Sequence, residues 1–467
     1  MIEDLVSIRK ALISVSDKSG LEKLCKELHS WGTELYATGG TGQALESWGI
    51  PFTPLEHYTQ SPEFLGGRVK TLHPKVFGGI LGRRNEESDL SDISREGIKL
   101  FDLVVVNLYP FEENSGRSIE ESTEYVDIGG SALMRAAAKN HRWVTVLSDP
   151  TDYPEFLEDT GRERKSSAPF RFTMARRTFL RASRYDRMIY DSWSGSYFPT
   201  QIDTTSQIPL RYGEDPHQKA AFSGSPQWSV LSGKELSYNN LLDSEAAASL
   251  VSEFDGPALA IIKHGNPCGV AWGLCPSQEL FKKAFQTDSK SAFGGVLATN
   301  QPINKALAES LFEYFLEVIV APQFESEGLE LLKTKKNLRL IEWTSPSWRP
   351  FEVRPAMGGW LIQDRDPSSE KLILEPFAGE IRLEKEAIDD IDGALKVCKY
   401  ARSNAIVIAK KGATVGIGAG QVSRIDALEI AILKAGNNLS GAVLVSDAFF
   451  PFRDSIDRLG GLGHRLS

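Results

Sequence analysis

Short apolar runs alternate with amphipathic stretches in the first third of the chain. The runs that predict buried strands lie at 11–15, 34–37, 102–111 and 143–149. The spacing typical of helices occurs at 21–31, 43–48 and 129–141. Gly32 and Gly49 follow the first two helices and suit a left-handed C-cap, and Ser131 is the expected N-cap of the third. This alternation predicts a parallel α/β sheet, in which ligands bind beyond the carboxyl ends of the strands.

A segment rich in Ser, Thr and Gly, 193–208, interrupts this pattern and is typical of a linker. We therefore expect a domain boundary near residue 200, with domains at 1–200 and 201–467. Further apolar strands are predicted at 258–262, 316–320, 405–409 and 442–446. The segments 288–295 and 445–452 each carry an acid and an Ala-Phe pair before a turn, which indicates a faint internal duplication.

Composition excludes several classes of protein. The 467 residues carry a formal net charge of -9, which argues against a broadly basic surface for nucleic acid. The four cysteines are too few and too scattered for a disulfide framework. The start lacks the apolar core of a signal peptide, and no apolar run is long enough to cross a bilayer. We therefore expect a cytoplasmic protein with neither nucleic-acid nor membrane partners.

Two loops in the first half have the composition of phosphate sites. "SVSDK" (14–18) and "ATGGTG" (37–42) each lie between a predicted strand and a predicted helix. Backbone N–H groups at a helix N-terminus, two serine hydroxyls and a lysine suit a phosphate. One such loop alone would be explained by capping and turn formation. Two on successive strands favour an anion site.

A basic loop and an acidic residue accompany these loops. "GGRVKTLHPKV" (66–76) contains Arg68, Lys70 and His73, which would be a solvated surface loop if the phosphate candidates were absent. Asn107 and Tyr109 end the predicted strand at 102–111, where side chains that face a ligand belong. Asp127 precedes the third helix and Lys139 lies near its end, so spacing alone does not place these two side chains together.

The stretch "ALAIIKHGNPCGVAWG" (258–273) ends a buried strand in Lys263 and His264, before an Asn-Pro segment that predicts a rigid turn. A zinc deaminase would need a Glu two residues after the His and a Pro-Cys-x-x-Cys run, and both are missing, so we expect no metal. A histidine without metal ligands can transfer protons near neutral pH. The alternative is a structural pair. Lys263 would lower the pKa of His264 if both side chains were buried.

Three other segments of the second half contain candidate ligand contacts. "LRYGEDPHQ" (210–218) contains Arg211 and Tyr212. Phe293 either stacks on a flat ring or belongs to the core. "GIGAGQVSR" (416–424) has the wrong spacing for a dinucleotide fingerprint and follows a predicted hairpin through "KKG", but it suits an anion or a heterocycle.

Together these residues resemble a known family. The motifs are "SVSDKSG", "GGRVKTLHP", "VVVNLYPF", "DIGGSALMRAAAKNH", "LRYGEDPHQ", "KHGNPCG", "SAFGG", "SNAIVIAKKGATVGIGAGQVSRIDA" and "SDAFFPFRDSID". They resemble the bifunctional purine-biosynthesis family, which combines 5-aminoimidazole-4-carboxamide ribonucleotide (AICAR) formyltransferase with inosine monophosphate (IMP) cyclohydrolase. The resemblance implies a methylglyoxal-synthase-like first domain that closes the ring. It implies a second, formyltransferase domain of two cytidine-deaminase-like subdomains, in a homodimer.

The resemblance also implies roles for particular residues. In the first domain, the residues expected to hold the ribonucleotide phosphate, directly or from nearby, are Ser14, Ser16, Lys18, Thr38, Gly39, Gly40, Thr41, Arg68 and Thr71. The residues expected to catalyse ring closure are Lys70, Tyr109, Asp127 and Lys139. In the second domain, Lys263 and His264 are the expected catalytic pair, and the expected substrate contacts are Arg211, Tyr212, Phe293, Gly294 and Asn404. The co-substrate is 10-formyltetrahydrofolate, and no tightly bound cofactor is expected.

One part of the sequence departs from the family pattern. After "SDAFFPFRDSID" the chain reads "RLGGLGHRLS", which has no strand pattern, so we expect an incomplete second domain. This leaves two alternatives to a bifunctional enzyme. One is a cyclohydrolase with an inactive formyltransferase scaffold, and the other is a non-catalytic ribonucleotide sensor. The lysine, tyrosine and aspartate of the ring-closing set favour an enzyme, because a sensor needs only the phosphate loops.

Overall fold

The structure is a computed structural model and describes residues 5–62, 65–111, 118–198, 204, 207–343, 350–366 and 383–461. The chain divides into two compact units, 1–202 and 203–467. Among the described residues, no helix combines the length and the apolar character that a bilayer span requires.

The first unit is built around a parallel sheet. The strands of the unit are Leu5–Ser7 (β1), Lys10–Ser14 (β2), Glu34–Ala37 (β3), Thr53–Pro54 (β4), Leu103–Val106 (β5), Thr145–Leu147 (β6) and Lys165–Ser167 (β7). Its helices are Leu21–Ser30 (α1), Gly39–Ser47 (α2), Leu55–Thr59 (α3), Pro74–Leu81 (α4), Glu87–Arg95 (α5), Ile119–Thr123 (α6), Ile128–Lys139 (α7), Asp152–Thr160 (α8) and Ala168–Ser194 (α9). The five-stranded sheet has the order β4-β3-β2-β5-β6, and all its pairs are parallel, as predicted.

The burial of the strands and the turns after the helices follow the sequence pattern. All four side chains of β5 are buried, and each apolar one contributes about 1.5–3 kcal/mol on transfer from water. Gly32 and Gly49 have φ of 80° and 68°, which confirms the predicted left-handed positions after α1 and α2.

Two predicted boundaries are wrong. The strand expected at 102–111 ends at Val106, because the next residue, Asn107, turns its amide back to the loop after β2. Ser131 is not an N-cap: it lies inside α7, and its hydroxyl donates to the Ile128 carbonyl at 3.1 Å. The cap is Asp127, whose carboxylate accepts the Gly130 N–H at 2.6 Å. A carboxylate at this position also interacts favourably with the helix dipole.

The second unit contains two larger sheets and two separate ribbons. Its strands are Gln207–Leu210 (β8), Ala220–Ser223 (β9), Trp228–Ser232 (β10), Ala258–Lys263 (β11), Asn266–Trp272 (β12), Val296–Thr299 (β13), Val318–Ala321 (β14), Arg339–Trp343 (β15), Phe351–Ala356 (β16), Gly359–Asp364 (β17), Ile406–Ala409 (β18), Thr414–Gly418 (β19) and Val443–Ser446 (β20). Its helices are Tyr238–Ser252 (α10), Ser277–Thr287 (α11), Ser289–Ala292 (α12), Lys305–Phe312 (α13), Ser326–Lys333 (α14), Lys385–Lys399 (α15), Arg424–Ala435 (α16) and Asp454–Gly460 (α17).

Of the two larger sheets of this unit, the six-stranded one is mixed and the three-stranded one is antiparallel. One has the order β10-β15-β14-β13-β11-β12 and the other β19-β18-β20, while β8-β9 and β16-β17 are two-stranded ribbons. In the first sheet, β11 is antiparallel to both of its neighbours, and β13, β14 and β15 are parallel. The expected hairpin through "KKG" is confirmed by the antiparallel pairing of β18 and β19. The tail after "SDAFFPFRDSID" begins within α17, and residues 462–467 lie outside the described part of the chain.

The second unit contains an internal repeat with a constant offset of 147 positions. Residues 238–252 (α10) correspond to 385–399 (α15), and β13 at 296–299 corresponds to β20 at 443–446. In both halves a hairpin, a helix and a strand antiparallel to the first hairpin strand follow in the same order. The two halves agree with the implied pair of subdomains. The sequence analysis predicted a duplication but matched 288–295 with the wrong segment, 445–452. At the offset of 147, residues 288–295 are equivalent to 435–442.

Glycines at matched positions allow the same close packing in both halves. A Cβ built on Gly269 would lie 1.9 Å from the Ala284 carbonyl oxygen, and one on Gly416 would lie 2.2 Å from that of Ala431. Each glycine thus allows the helix that follows its hairpin to rest directly on strand backbone.

Candidate active sites

The two loops predicted to bind phosphate are joined at the carboxyl ends of β2 and β3. The hydroxyls of Ser14 and Thr38 are 3.0 Å apart, and the Thr41 hydroxyl accepts the Val15 N–H at 3.1 Å. No side chain caps the N-terminus of α2. A Cβ on Gly39 or on Gly40 would contact nothing within 4 Å, so these glycines leave open space in front of the helix. The arrangement suits a phosphate on the helix N-terminus.

Asn107 positions this loop instead of facing a ligand. Its side-chain oxygen accepts the N–H groups of Ser16 and Asp17 at 2.6 and 3.0 Å, and its side-chain nitrogen donates to the Asp17 carbonyl at 2.8 Å. The exposed Lys18 ammonium donates to the Ser16 carbonyl at 3.3 Å. Asn107, which was expected to face a ligand, therefore holds the backbone of the loop 14–18 in place.

The basic loop packs on the N-terminus of α7, which brings Lys70 to Asp127. A Cβ on Gly129 would lie 2.5 Å from the Thr71 hydroxyl, so loop and helix are in close contact. Burial raises the pKa of the Asp127 carboxyl, while hydrogen bonds from Gly130 and Tyr109 backbone and the charge of Lys70 lower it. A carboxyl under these opposing influences is suited to exchange a proton.

Tyr109 and a tyrosine that the sequence did not indicate complete this group. The Tyr109 ring is 47 % exposed, although its backbone N–H reaches the Asp127 carboxylate. The Asp127 N–H donates to the Tyr185 hydroxyl at 2.8 Å, and that hydroxyl donates to the Tyr125 carbonyl at 3.1 Å. Tyr185 belongs to α9, more than fifty residues further along the chain, so no local motif could have identified it.

Two predicted residues lie apart from this group. Lys139 is exposed at the far end of α7, and the twelve residues from Ile128 to Lys139 span roughly 16 Å along the helix axis. Arg68 is exposed and forms an ion pair with Glu124. The roles of Lys139 and Arg68 stay predictions from the resemblance.

A cavity of about 290 Å³ joins the second phosphate loop to the basic loop. Its lining includes Thr38, Gly39, Lys70, Glu56, Thr59 and His73. The His73 ring caps α4 by accepting the Lys75 N–H at 3.1 Å on Nδ1, which leaves Nε2 to carry the proton of the neutral ring. Burial and the charge of Lys75 lower the pKa of His73. The second loop predicted to bind phosphate and Lys70 therefore line one cavity.

In the second unit His264 lies on a hairpin turn, and Lys263 ends the strand before it. His264 and Gly265 have φ of 53° and 69°, so they form the two-residue turn between β11 and β12. Asn266 and Pro267 pair with Lys263 and Ile262 as the start of β12. The predicted turn at Asn-Pro was therefore wrong by two residues. A histidine at positive φ is uncommon, because its Cβ crowds the backbone there.

The lysine and the histidine are held by different partners. The Lys263 ammonium donates to the Phe293 carbonyl at 2.7 Å. The His264 side chain is exposed and lines a cavity of about 1000 Å³, together with Asp243, Arg402 and Ser403. The expected effect of Lys263 on His264 required both side chains to be buried. His264 is exposed, so this requirement is not met.

Phe293 is not part of the core. Its ring is 62 % exposed, and it packs at 5.0 Å between centroids against Phe315. The Gly294 N–H donates to the Phe315 carbonyl at 2.8 Å. This leaves a ring face and a glycine backbone beside the Lys263 ammonium, which suits a flat heterocycle.

A group of charged and polar side chains lies near Arg211 and Tyr212. The Arg211 guanidinium lies 5.3 Å from the centre of the Tyr212 ring. Glu317 accepts from the Asn240 amide at 3.0 Å. Burial lowers the pKa of Arg339, the charge of Glu317 raises it, and that of Arg211 lowers it again. Sequence reasoning missed Glu317, Asn240 and Arg339, because they lie on three elements that only the fold brings together.

Asn404 bonds to the glycine-rich segment 416–424, and its neighbour Arg402 bonds to the hairpin that carries His264. Its side-chain nitrogen donates to the Gln421 carbonyl at 2.9 Å, which ties it to the glycine-rich segment 416–424. The Arg402 N–H donates to the Asn266 side-chain oxygen at 3.0 Å. In the described part of the chain, no three His, Cys, Asp or Glu side chains are grouped to hold a metal ion.

Comparison with known proteins identifies the family. The family model described as AICARFT/IMPCHase bienzyme matches residues 137–434, and the model described as MGS-like domain matches 20–132. Proteins named bifunctional purine biosynthesis protein PurH are 42 % identical in Synechocystis sp. and 43 % identical in Trichormus variabilis, each over 97 % of this chain and 92 % of the relative. A solved structure titled crystal structure of ForH is 34 % identical with a TM-score of 0.37, and covers 40 % of this chain and 100 % of that one. The chain belongs to the AICARFT/IMPCHase bienzyme family.

Proposed function

We propose that this chain carries out the last two steps of IMP synthesis, with formyl transfer to AICAR in the second unit and ring closure in the first. The observation that carries the proposal for the first unit is the shared cavity, which joins a phosphate loop at Thr38 and Gly39 to Lys70 beside Asp127. In the second unit it is the Lys263 ammonium, which donates to the Phe293 carbonyl and directly precedes His264 on the hairpin. The chain's membership in the bienzyme family supports both assignments.

Ring closure joins a carboxamide nitrogen to a formamide carbon. As the C–N bond forms, the nitrogen loses a proton and the formyl oxygen gains negative charge; loss of water then completes the ring. The Asp127 carboxylate is the base in this scheme, and the Lys70 ammonium stabilises the oxyanion. Ser14, Thr38 and Gly39 hold the phosphate, and Tyr109 lies beside the base. Lys139 keeps its implied catalytic role, which no contact within the described residues explains.

Formyl transfer joins the AICAR amine to the formyl carbon of 10-formyltetrahydrofolate. The amine proton goes to His264, the bond from the formyl carbon to the folate nitrogen breaks, and that nitrogen takes up a proton. The Lys263 ammonium, held by the Phe293 carbonyl, is placed to stabilise the tetrahedral oxyanion. Phe293 and Gly294 contact the imidazole, and Arg211, Tyr212 and Asn404 are further substrate contacts.

Three further assignments belong to the proposal. The folate is a co-substrate that enters and leaves with each turnover. The homodimer rests on the resemblance alone. The cytoplasmic location also rests on the resemblance.

The decisive experiment supplies AICAR and 10-formyltetrahydrofolate to the full chain and follows tetrahydrofolate release and IMP formation separately. We expect both products in equal amounts at steady state. Ring closure of supplied formyl-AICAR without release of tetrahydrofolate would show that the second unit is a scaffold. Neither product, with ribonucleotide still bound in calorimetry, would show a sensor.

A further inference from the structure

The turn that carries His264 is held by a carboxylate from α10. Asp243 accepts the N–H of His264 at 3.2 Å and that of Gly265 at 2.6 Å. Both donors belong to residues at positive φ, and His264 pays a steric cost there that Gly265 does not, so the carboxylate stabilises an unfavourable backbone conformation of His264. Asp243 lines the same cavity as His264, the Arg402 guanidinium approaches Gly265, and the charge of Glu317 acts on the Asp243 carboxyl.

The internal repeat contains the same device at a turn without histidine. Asp390, on α15, accepts the N–H groups of Lys411 and Gly412, both at 2.7 Å. Lys411 and Gly412 have φ of 53° and 71°, almost the same as those of His264 and Gly265. This clamp, an aspartate that accepts both N–H groups of a two-residue turn, is therefore a property of the fold. The residue at the first turn position differs between the halves: His264 in one and Lys411 in the other.

The lysine before each turn is matched as well. Lys263 donates to the Phe293 carbonyl, and Lys410, at the offset of 147, donates to the Ser440 carbonyl. In the first half, this arrangement sets a fixed ammonium beside a clamped histidine. The second half has the same backbone but a lysine in place of the histidine, so it provides a matched control within one chain.

We propose that Asp243 is the positioning residue for His264 in formyl transfer, a role that rests on the proposed function of the second unit. The side-chain nitrogen of Asn266 also donates to the His264 carbonyl, in a long hydrogen bond of 3.4 Å. Without the carboxylate, both turn N–H groups would bond to water and the turn would be free to relax. A displacement of about 1 Å at a proton-transferring group costs on the order of 100-fold in rate.

The test compares Asp243→Ala, Asp243→Asn and Asp390→Ala in the full chain. We expect Asp243→Ala to lower kcat for formyl transfer roughly 30- to 100-fold and to change the KM for AICAR by less than about threefold, because positioning acts on the transition state. Asp243→Asn keeps an oxygen acceptor and should stay within about fivefold of the parent kcat. Asp390→Ala loses the equivalent hydrogen bonds and should keep formyl transfer within about threefold. Ring closure in the same samples is the internal standard.

Two outcomes would overturn the proposal. Equal losses of formyl transfer in Asp243→Ala and Asp390→Ala would show that Asp243 acts only through folding, and an Asn variant as slow as the Ala variant would show that its charge is what matters. A crystal structure of Asp243→Ala decides the question independently of activity, since an unchanged His264 ring position would refute the positioning role. A parent chain that releases no tetrahydrofolate would refute the proposed function instead, and the crystallographic comparison would still decide the role of Asp243.

Discussion

Replacing Lys70 with alanine should slow ring closure about 100-fold. Lys70 lines the cavity that contains Thr38 and Gly39, and its charge acts on Asp127. Loss of one donor to a developing oxyanion costs about 100- to 1000-fold in kcat, or about 2.7–4 kcal/mol. We expect the lower end of this range, because the Lys70 side chain is exposed before substrate binds and water reduces the strength of its field.

The assay follows IMP formation from formyl-AICAR under saturating substrate, so that kcat and KM separate. A matched control is Lys26→Ala, which removes an exposed lysine paired with Glu22 on α1 and should leave kcat within about twofold. The KM of Lys70→Ala should rise less than its kcat falls, because the oxyanion exists only in the transition state. A Lys70→Ala enzyme with the parent kcat, or a loss confined to KM, would refute the assignment.

Three further predictions follow from the same contacts. Ring closure should decline as the pH falls through the raised pKa of Asp127, because the base is then protonated, and the pH profile of kcat for Asp127→Asn should lack that acid limb. His264→Ala should lower formyl transfer by about 100-fold or more and leave ring closure of supplied formyl-AICAR unchanged, and a parallel loss of both in a folded protein would contradict the division between units. Gly269→Ala should lower the free energy of unfolding of the second unit by about 1–3 kcal/mol, measured in urea. The control is Gly256→Ala, where a Cβ meets nothing within 4 Å, and it should change this free energy by less than about 0.5 kcal/mol. Equal effects of the two substitutions would refute the packing argument.

Local pattern was sufficient for much of the fold. The alternation of apolar runs and amphipathic helices correctly predicted the parallel sheet of the first unit, because burial on both faces of β5 requires four consecutive apolar residues. The glycines after α1 and α2 were identified because few other residues adopt positive φ there. The strand boundary after Val106 and the cap of α7 were missed, because Asn107 and Asp127 form hydrogen bonds that compete with the local pattern.

The sequence by itself determined which chemical groups are available: two loops suited to phosphate, a basic loop, and a lysine and histidine at the end of a buried strand. Such features are local, and a motif of a few residues carries them completely. Only the tertiary structure decided which of these groups meet. It brought Lys70 to Asp127, placed Lys139 at the opposite end of α7, and clamped His264 with a carboxylate from another helix. These relations depend on where separate elements pack, and packing is set by the summed burial of the whole unit, which no single motif encodes.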